Sequence, residues 1–246
     1  MHRFLLGILL FGLGVASLPA SAQALTPEER YELGQKHMRR GYYQKAMEEF
    51  SALRNLNRES PYSVKAELAM ADLYYKQSEF DLARVAYEDF ARLHPRHPEL
   101  DYAVYRLGMS HFQKASRIAA RDQTWTQQAV HAWANFERRF PESEYLDEVA
   151  EAVEQGRNRL ALKELRVARF YSKRMAWPAV VARLEAMIRR YPKSEDLPEA
   201  LGLLAVAYFE LGELEQAKEM ATRLASDHND DPELTRLQRR APELLD

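Results

Sequence analysis

The stretch Ser60–Pro95, SPYSVKAELAMADLYYKQSEFDLARVAYEDFARLHP, decides how the rest of the chain folds. It spells two short amphipathic helices. Ser60 supplies an N-cap and Pro61 takes the first helical position, where its missing N–H removes nothing from the hydrogen-bond ladder. Leu68, Ala71, Leu73 and Tyr74 then share one helical face. Gln77-Ser78-Glu79 interrupts the pattern. A second stripe follows at Phe80, Ala83, Ala86, Tyr87, Phe90 and Ala91, and Pro95 stops it. Small Ala71 and Ala83 let the helices approach, while Tyr74, Phe80 and Tyr87 fill the space around them. Two helices this short cannot bury their apolar faces alone, so the pair must stack on copies of itself.

The copies are present. Ala46, Ala83, Ala129, Val180 and Ala217 each open the second helix of such a pair. Four positions on stands a bulky residue in four of them: Phe50, Tyr87, Trp133 and Leu184. Twelve positions on stands Pro95, Pro141 or Pro192 in three. Gly34 and Gly108 match Ala71 as points where first helices come close. The pattern resembles the tetratricopeptide repeat (TPR), a helix–turn–helix unit of about 34 residues. Spacings of 37, 46, 51 and 37 residues between the five small residues make the outer repeats near-standard and place insertions in the middle two. The expected fold is an all-α TPR superhelical solenoid of five repeats with one long connecting helix.

Residues 1–22 read as a signal peptide. Arg3 precedes an apolar run from Phe4 to Leu18, and Ala20 and Ala22 form an A-x-A cleavage site before Gln23. The run is shorter than the ~20 residues of a membrane-spanning helix; an uncleaved membrane anchor is the alternative. The chain has no cysteine, so neither a disulfide nor a lipidated cysteine is expected, and with the latter goes any direct lipid anchor. Without Arg3 the balance is 34 basic against 37 acidic residues, with no long run of one sign. Nucleic acid and anionic membrane surfaces are therefore not indicated as partners.

Residues 23–142 hold repeats 1–3. Thr26-Pro27-Glu28-Glu29 opens the first with a capping box. The two helices of the third are separated by about nine extra residues within ASRIAARDQTWTQQ, a loop length more often functional than accidental. Residues 143–228 hold the long helix and repeats 4 and 5. From Ser143 to Arg174 there is no proline and a single glycine, Gly156, where a kink could fall. Residues 229–246 are a polar tail, expected as a frayed helix or disorder.

No catalytic, cofactor-binding or metal motif emerges: there is no G-x-S-x-G, no H-E-x-x-H and no phosphate loop. His94 and His97 flank Pro95 in a turn without further ligand types at metal spacing. No enzyme is indicated and no cofactor is expected. What remains is the inner wall of the superhelix, lined by first helices. The second, fifth, ninth and twelfth TPR consensus positions fall on Glu28, Tyr31, Gln35 and Met38, then on Lys65, Leu68, Asp72 and Tyr75, then on Tyr102, Tyr105, Met109 and Phe112. The Lys, Asn and Arg set of carboxylate-clamping TPRs is missing. Tyr31, Met38, Leu68, Tyr75, Tyr102, Tyr105, Met109 and Phe112 instead form an aromatic-and-methionine wall suited to apolar or aromatic peptide anchors. The competing reading is that individual aromatics pack against the next repeat.

Four segments carry a sharper resemblance: SPYSVKAELAMADLYYKQSEFDLA (60–83), ARLHPRHPELDYAVYRLGMSHF (91–112), ARDQTWTQQAVHAWANFERRFPESEY (120–145) and RLALKELRVARFYSKRMAWPAVVARLEAMIRRYPKSEDLPEAL (159–201). In that order, they resemble the BamD family of the outer-membrane β-barrel assembly machinery over roughly residues 25–228. The resemblance implies a non-catalytic periplasmic scaffold at the outer membrane. Its N-terminal repeats would receive the aromatic-ending β-signal of unfolded outer-membrane proteins, and its C-terminal repeats would dock on a POTRA domain of BamA, with other Bam lipoproteins as further partners. Arg183 and Trp177, within AWPAVVARLEAM, are the implied BamA contacts; an intramolecular pair of Arg183 with Glu164 or Glu185 is the alternative. The missing cysteine departs from the family's lipobox. It leaves open a peripheral protein held by partners, or a soluble periplasmic TPR adaptor in envelope biogenesis or cell division with another peptide client.

Overall fold

The computed structural model describes residues 25–56 and 60–245. The expected signal segment 1–22 and the start at Gln23 lie outside the described residues. The helices are α1 (Pro27–Arg39), α2 (Tyr43–Leu56), α3 (Pro61–Lys76), α4 (Phe80–Leu93), α5 (Leu100–Lys114), α6 (Thr124–Ala132), α7 (Phe136–Arg139), α8 (Leu146–Ser172), α9 (Trp177–Arg190), α10 (Leu197–Glu210), α11 (Leu214–Asp227) and α12 (Pro232–Arg240), followed by a 3-10 turn, Pro242–Leu244. No strand occurs among the described residues. Packing follows chain order: α1 on α2, α2 on α3, and so on to α11, with α8 taking over from α6. This is the nearest-neighbour logic of a TPR solenoid.

The spacing rules translate directly into packing. Ala46, Ala83, Ala129, Val180 and Ala217 are fully buried, as are Phe50, Tyr87 and Leu184, and Trp133 nearly so. Facing them stand small residues on the first helices. A Cβ at Gly34 would lie 2.6 Å from Phe50 Cε1, and one at Gly108 only 2.0 Å from Trp133 Cε2. The same register continues through Ala71, Ala168 and Ala205, all fully buried. The small first-helix residue precedes its second-helix partner by 12 positions in four repeats and by 21 in the third, the difference being the loop Ala115–Gln123.

Helix ends follow their local chemistry. Thr26 Oγ1 accepts from Glu29 N at 3.2 Å and Glu29 Oε2 from Thr26 N at 2.9 Å, closing the capping box. Ser60 occupies the N-cap of α3 without a side-chain hydrogen bond, so Pro61 carries the start signal there. Gly41, Ser78, Met175 and Gly212 each sit five positions before the small residue of a second helix, and all four have positive φ, +77°, +61°, +55° and +77°. One left-handed residue per tight turn reverses the chain. Repeat 3 replaces that turn with its loop, which is tied around Gln123: its Nε2 donates to Ser116 O (3.2 Å) and Ile118 O (2.9 Å), and its Oε1 accepts from Thr126 Oγ1 at 2.6 Å.

The long helix is continuous, 27 residues through Gly156. Its first half packs on α6 and its second half pairs with α9, so one rod belongs to two repeats. Gly156 is a packing glycine: a Cβ would stand 2.7 Å from Val130 Cγ2. Two features depart from the sequence reading. The second helix of repeat 3 is interrupted at Trp133–Asn135, separating α6 from α7. The tail is ordered helix rather than frayed: Asp231 caps α12, accepting from Glu233 N at 2.8 Å, and Leu237, Ala241 and Leu244 are buried against α10 and α11. A polar segment was expected to stay loose, but three apolar residues at 237, 241 and 244 suffice to seal an otherwise open end of the core, the role of a capping element in a repeat array.

Candidate functional site

Helices α1, α3 and α5 present their open faces to a groove of about 550 Å³. Two inter-repeat turns of similar sequence close it, HPRHPEL (94–100) before α5 and FPESEYL (140–146) before α8. In each, a leucine packs into the core at the helix start, Leu100 buried and Leu146 partly so, and the preceding residue, Glu99 or Tyr145, is thrust towards the groove. Tyr31, Met38, Leu68 and Tyr102 are brought together here. Met38 and Leu68 are almost fully buried and form the floor. The half-buried Tyr31 and Tyr102 form the walls.

Tyr145 was not among the expected wall residues. Its ring stacks on Tyr105 at 4.7 Å between centroids with an 8° interplanar angle, and tilts against Tyr102 at 5.6 Å. Its signal was an aromatic residue in a proline-led turn, off the first-helix positions where TPR ligands are sought. Tyr105 therefore reaches the site through Tyr145. Tyr75, Met109 and Phe112 lie outside this groove. Tyr75 is covered by the Arg106 guanidinium at 3.7 Å and edged by Phe80 at 5.2 Å. Met109 packs in the cluster of α5, α6 and α8, and Phe112 lies between Trp133 at 6.1 Å and the Arg159 guanidinium at 4.5 Å.

A polar network underlies the wall. Asp72 Oδ1 accepts from Tyr87 Oη (2.5 Å) and Tyr102 Oη (2.8 Å). Burial pushes the Asp72 carboxyl up from the usual range, opposed by those two hydrogen bonds and by the Arg106 and Lys76 charges. Burial likewise raises Tyr102, reinforced by Asp72, and raises Tyr145 to about 12, with Glu144 adding to the effect. These phenols stay protonated, so they act as donors and ring surfaces, not as bases. His94 and His97 pack on Phe90, and His94 Nε2 lies 2.7 Å from Glu67 Oε2. Among the described residues no cluster of three His, Asp or Glu side chains is placed to hold a metal.

In the C-terminal half, Arg183 is exposed on α9 and its Nη1 donates to Glu164 Oε2 of α8 at 3.0 Å. Glu185 instead accepts from Tyr208 Oη at 2.6 Å. Trp177 is half-buried at the start of α9, with the Arg240 guanidinium of α12 5.8 Å from its ring centre. A second cleft, about 980 Å³, crosses the middle of α8 between the α6–α7 break and the turn after α9.

Helix pairs stacked in chain order, with an aromatic groove on their first-helix side, define a TPR solenoid. A family model described as "YfiO: Outer membrane lipoprotein" matches residues 23–224. A relative from Neisseria meningitidis serogroup A (strain Z2491), named outer membrane protein assembly factor BamD, is 30% identical over 85% of this chain and 81% of its own. That of Neisseria meningitidis serogroup B (strain MC58) is 31% identical over 75% and 72%. The protein of that name from Vibrio cholerae is 28% identical over 86% and 92%. The chain belongs to this BamD family of outer membrane protein assembly factors. Among solved structures, the TPR2AB-domain:pHSP90 complex of yeast Sti1 covers 88% of this chain and 84% of its own at 14% identity, with a TM-score of 0.44. The Thermus thermophilus TPR protein TTC0263 covers 89% and 99% at 18% identity, with a TM-score of 0.37. The relatives' shared name, assembly factor, points to an assembly role and names no catalytic activity. No helix among the described residues is long and apolar enough to cross a membrane.

Proposed function

We propose that the protein acts at the periplasmic face of the outer membrane as a scaffold of the β-barrel assembly machinery. In this reading the groove of repeats 1–3 receives an aromatic-ending segment of an unfolded outer-membrane protein, and repeats 4 and 5 dock on a BamA-type POTRA domain. The observation that carries it is the concentration of half-buried tyrosine, Tyr31, Tyr102 and Tyr145, around Met38 and Leu68, in a groove that no helix among the described residues crosses. Such rings offer large rigid contact area and a polar edge, the composition of peptide anchor pockets. Binding of a short peptide ending in phenylalanine tests it: Tyr31→Ala and Tyr145→Ala should each weaken affinity by about 1–2 kcal/mol, near tenfold, while circular dichroism stays unchanged. Affinity indifferent to both changes refutes the groove.

The docking half of the proposal rests on Arg183. Its guanidinium meets Glu164 yet remains half exposed, so it can exchange that carboxylate for one on a partner, with the paired donors that lysine lacks. Arg183→Glu should abolish co-purification with BamA and leave the thermal transition within a few degrees. Retained BamA would move the interface elsewhere.

A further inference from the structure

The charged side chains of the groove of repeats 1–3 are mostly acidic. Glu99, Asp101, Glu142 and Glu144 stand on its turn side and Asp72 at its floor, against Lys65 as the one cationic side chain among the described residues that line it. Two of the rim carboxylates have local donors: Asp101 accepts from Ser143 Oγ at 2.6 Å and Glu144 from Tyr145 Oη at 3.0 Å. Glu99 and Glu142 are exposed, and no rim carboxylate forms an ion pair among the described residues.

General acidity does not explain this, since the chain as a whole carries a formal charge of only −2. The cleft over the middle of α8 is the internal comparison: Arg138, Arg157, Arg190 and Lys193 line it together with Glu137, Asp147 and Glu154. Mixed signs are what a solvated helix surface gives by default. A concave site walled on one side by carboxylates focuses negative potential inside it, and charge at the rim of an interface sets specificity and encounter rate more than raw affinity.

We propose that the groove selects a polypeptide segment in which lysine or arginine stands beside the inserted aromatic side chain, the cation being read by Glu99 and Glu142. The inference rests on the groove reading above and adds a charge preference to it. The aromatic ring would enter between Tyr31, Tyr102 and Tyr145, over Leu68. The flanking cation would lie along the turn side, where both glutamates are free to turn towards it without losing a partner. An acidic flank would meet uncompensated like charge and be disfavoured, so the rim rejects as well as attracts.

The test uses the purified protein and two short amidated peptides around one phenylalanine, identical except that lysine flanks the ring in one and glutamate in the other. Amidation removes the terminal carboxylate from the comparison. Fluorescence anisotropy at low salt should give about tenfold tighter binding of the lysine peptide, the preference collapsing at high salt. A Glu99→Gln, Glu142→Gln double variant, changed only at exposed positions, should bind both peptides within about threefold of each other while keeping its helical spectrum. Equal affinity of the intact protein for both peptides, with both lost in Tyr145→Ala, would leave the groove standing and overturn the charge selection alone. A preference that survives in the double variant would overturn it too, by placing the cation elsewhere. Binding of neither peptide would refute the groove reading and this inference together.

Discussion

From Ala161 to Leu244 the buried side chains form one continuous cluster, made mostly of Leu, Ala, Val, Met and Ile. From α1 to the first half of α8 they fall instead into three separate clusters, while partly buried aromatic side chains edge all four. The helix that best expresses the difference is α10, where Leu197, Ala200, Leu201, Gly202 and every residue from Leu204 to Tyr208 are buried. It is enclosed by α9, α11 and α12, so nearly its whole circumference is apolar. Helices α1 and α3 have the same place in their repeats but keep one side open. Tyrosine suits such a side, since its ring packs on the core and its hydroxyl meets water or a carboxylate. Closure by α12 makes the C-terminal half a block; among the described residues nothing closes the first-helix side of the N-terminal half in the same way, and a groove stays open there.

The contrast can be broken most severely through the block. Leu201 is fully buried, so Leu201→Ala should lower stability by about 2–5 kcal/mol, read as a shift of the urea midpoint. A loss under about 1 kcal/mol would mean that the C-terminal core is loosely packed and the comparison fails.

The N-terminal half should be the more acid-sensitive. His111 on α5 is buried beside Trp125, with Arg84 of α4 and Lys114 of α5 adding positive charge and Gln128 of α6 opposing weakly; burial first, then those cations, lower its pKa to about 4. The folded value lies below the free value of 6.5, so this contribution is complete above pH ~6.5 and is lost as pH falls towards 4. Discounted for its partly solvated surroundings, the loss should be about 2 kcal/mol. Denaturation from pH 7 to 4.5 should show a shallower fall in His111→Gln than in the parent, and identical slopes would exclude the histidine.

The smallest effect is expected at a turn. Met175 adopts φ +55° where Gly41 and Gly212 stand in other repeats, and it is 73% exposed. A left-handed non-glycine residue costs about 1–2 kcal/mol, partly offset by the greater unfolded freedom of glycine. Met175→Gly should therefore stabilise by about 0.5–1 kcal/mol, visible as a rise in Tm. A fall would show that the methionine side chain contributes packing that outweighs its backbone strain.

The sequence by itself determined the repeat phase. A small residue, a bulky one four positions on and a proline twelve on are contacts within one helix pair, separated by few residues and imposed by the 3.6-residue period. It also determined the unbroken α8, because no proline and one glycine fall in its span, and the capping box at Thr26, which is complete within four residues. Only the tertiary structure decided which aromatic side chains share a cavity. Periodicity states which face of a helix is apolar but not which neighbour covers it. Tyr75 was covered by Arg106 from the next repeat, and Phe112 by Trp133 and Arg159 across the loop. Tyr145 entered the groove from a turn, where no period applies. The tail was decided the same way: Leu237, Ala241 and Leu244 make a weak stripe in a polar segment, and they became core because α10 and α11 offered an apolar end with nothing else to cover it.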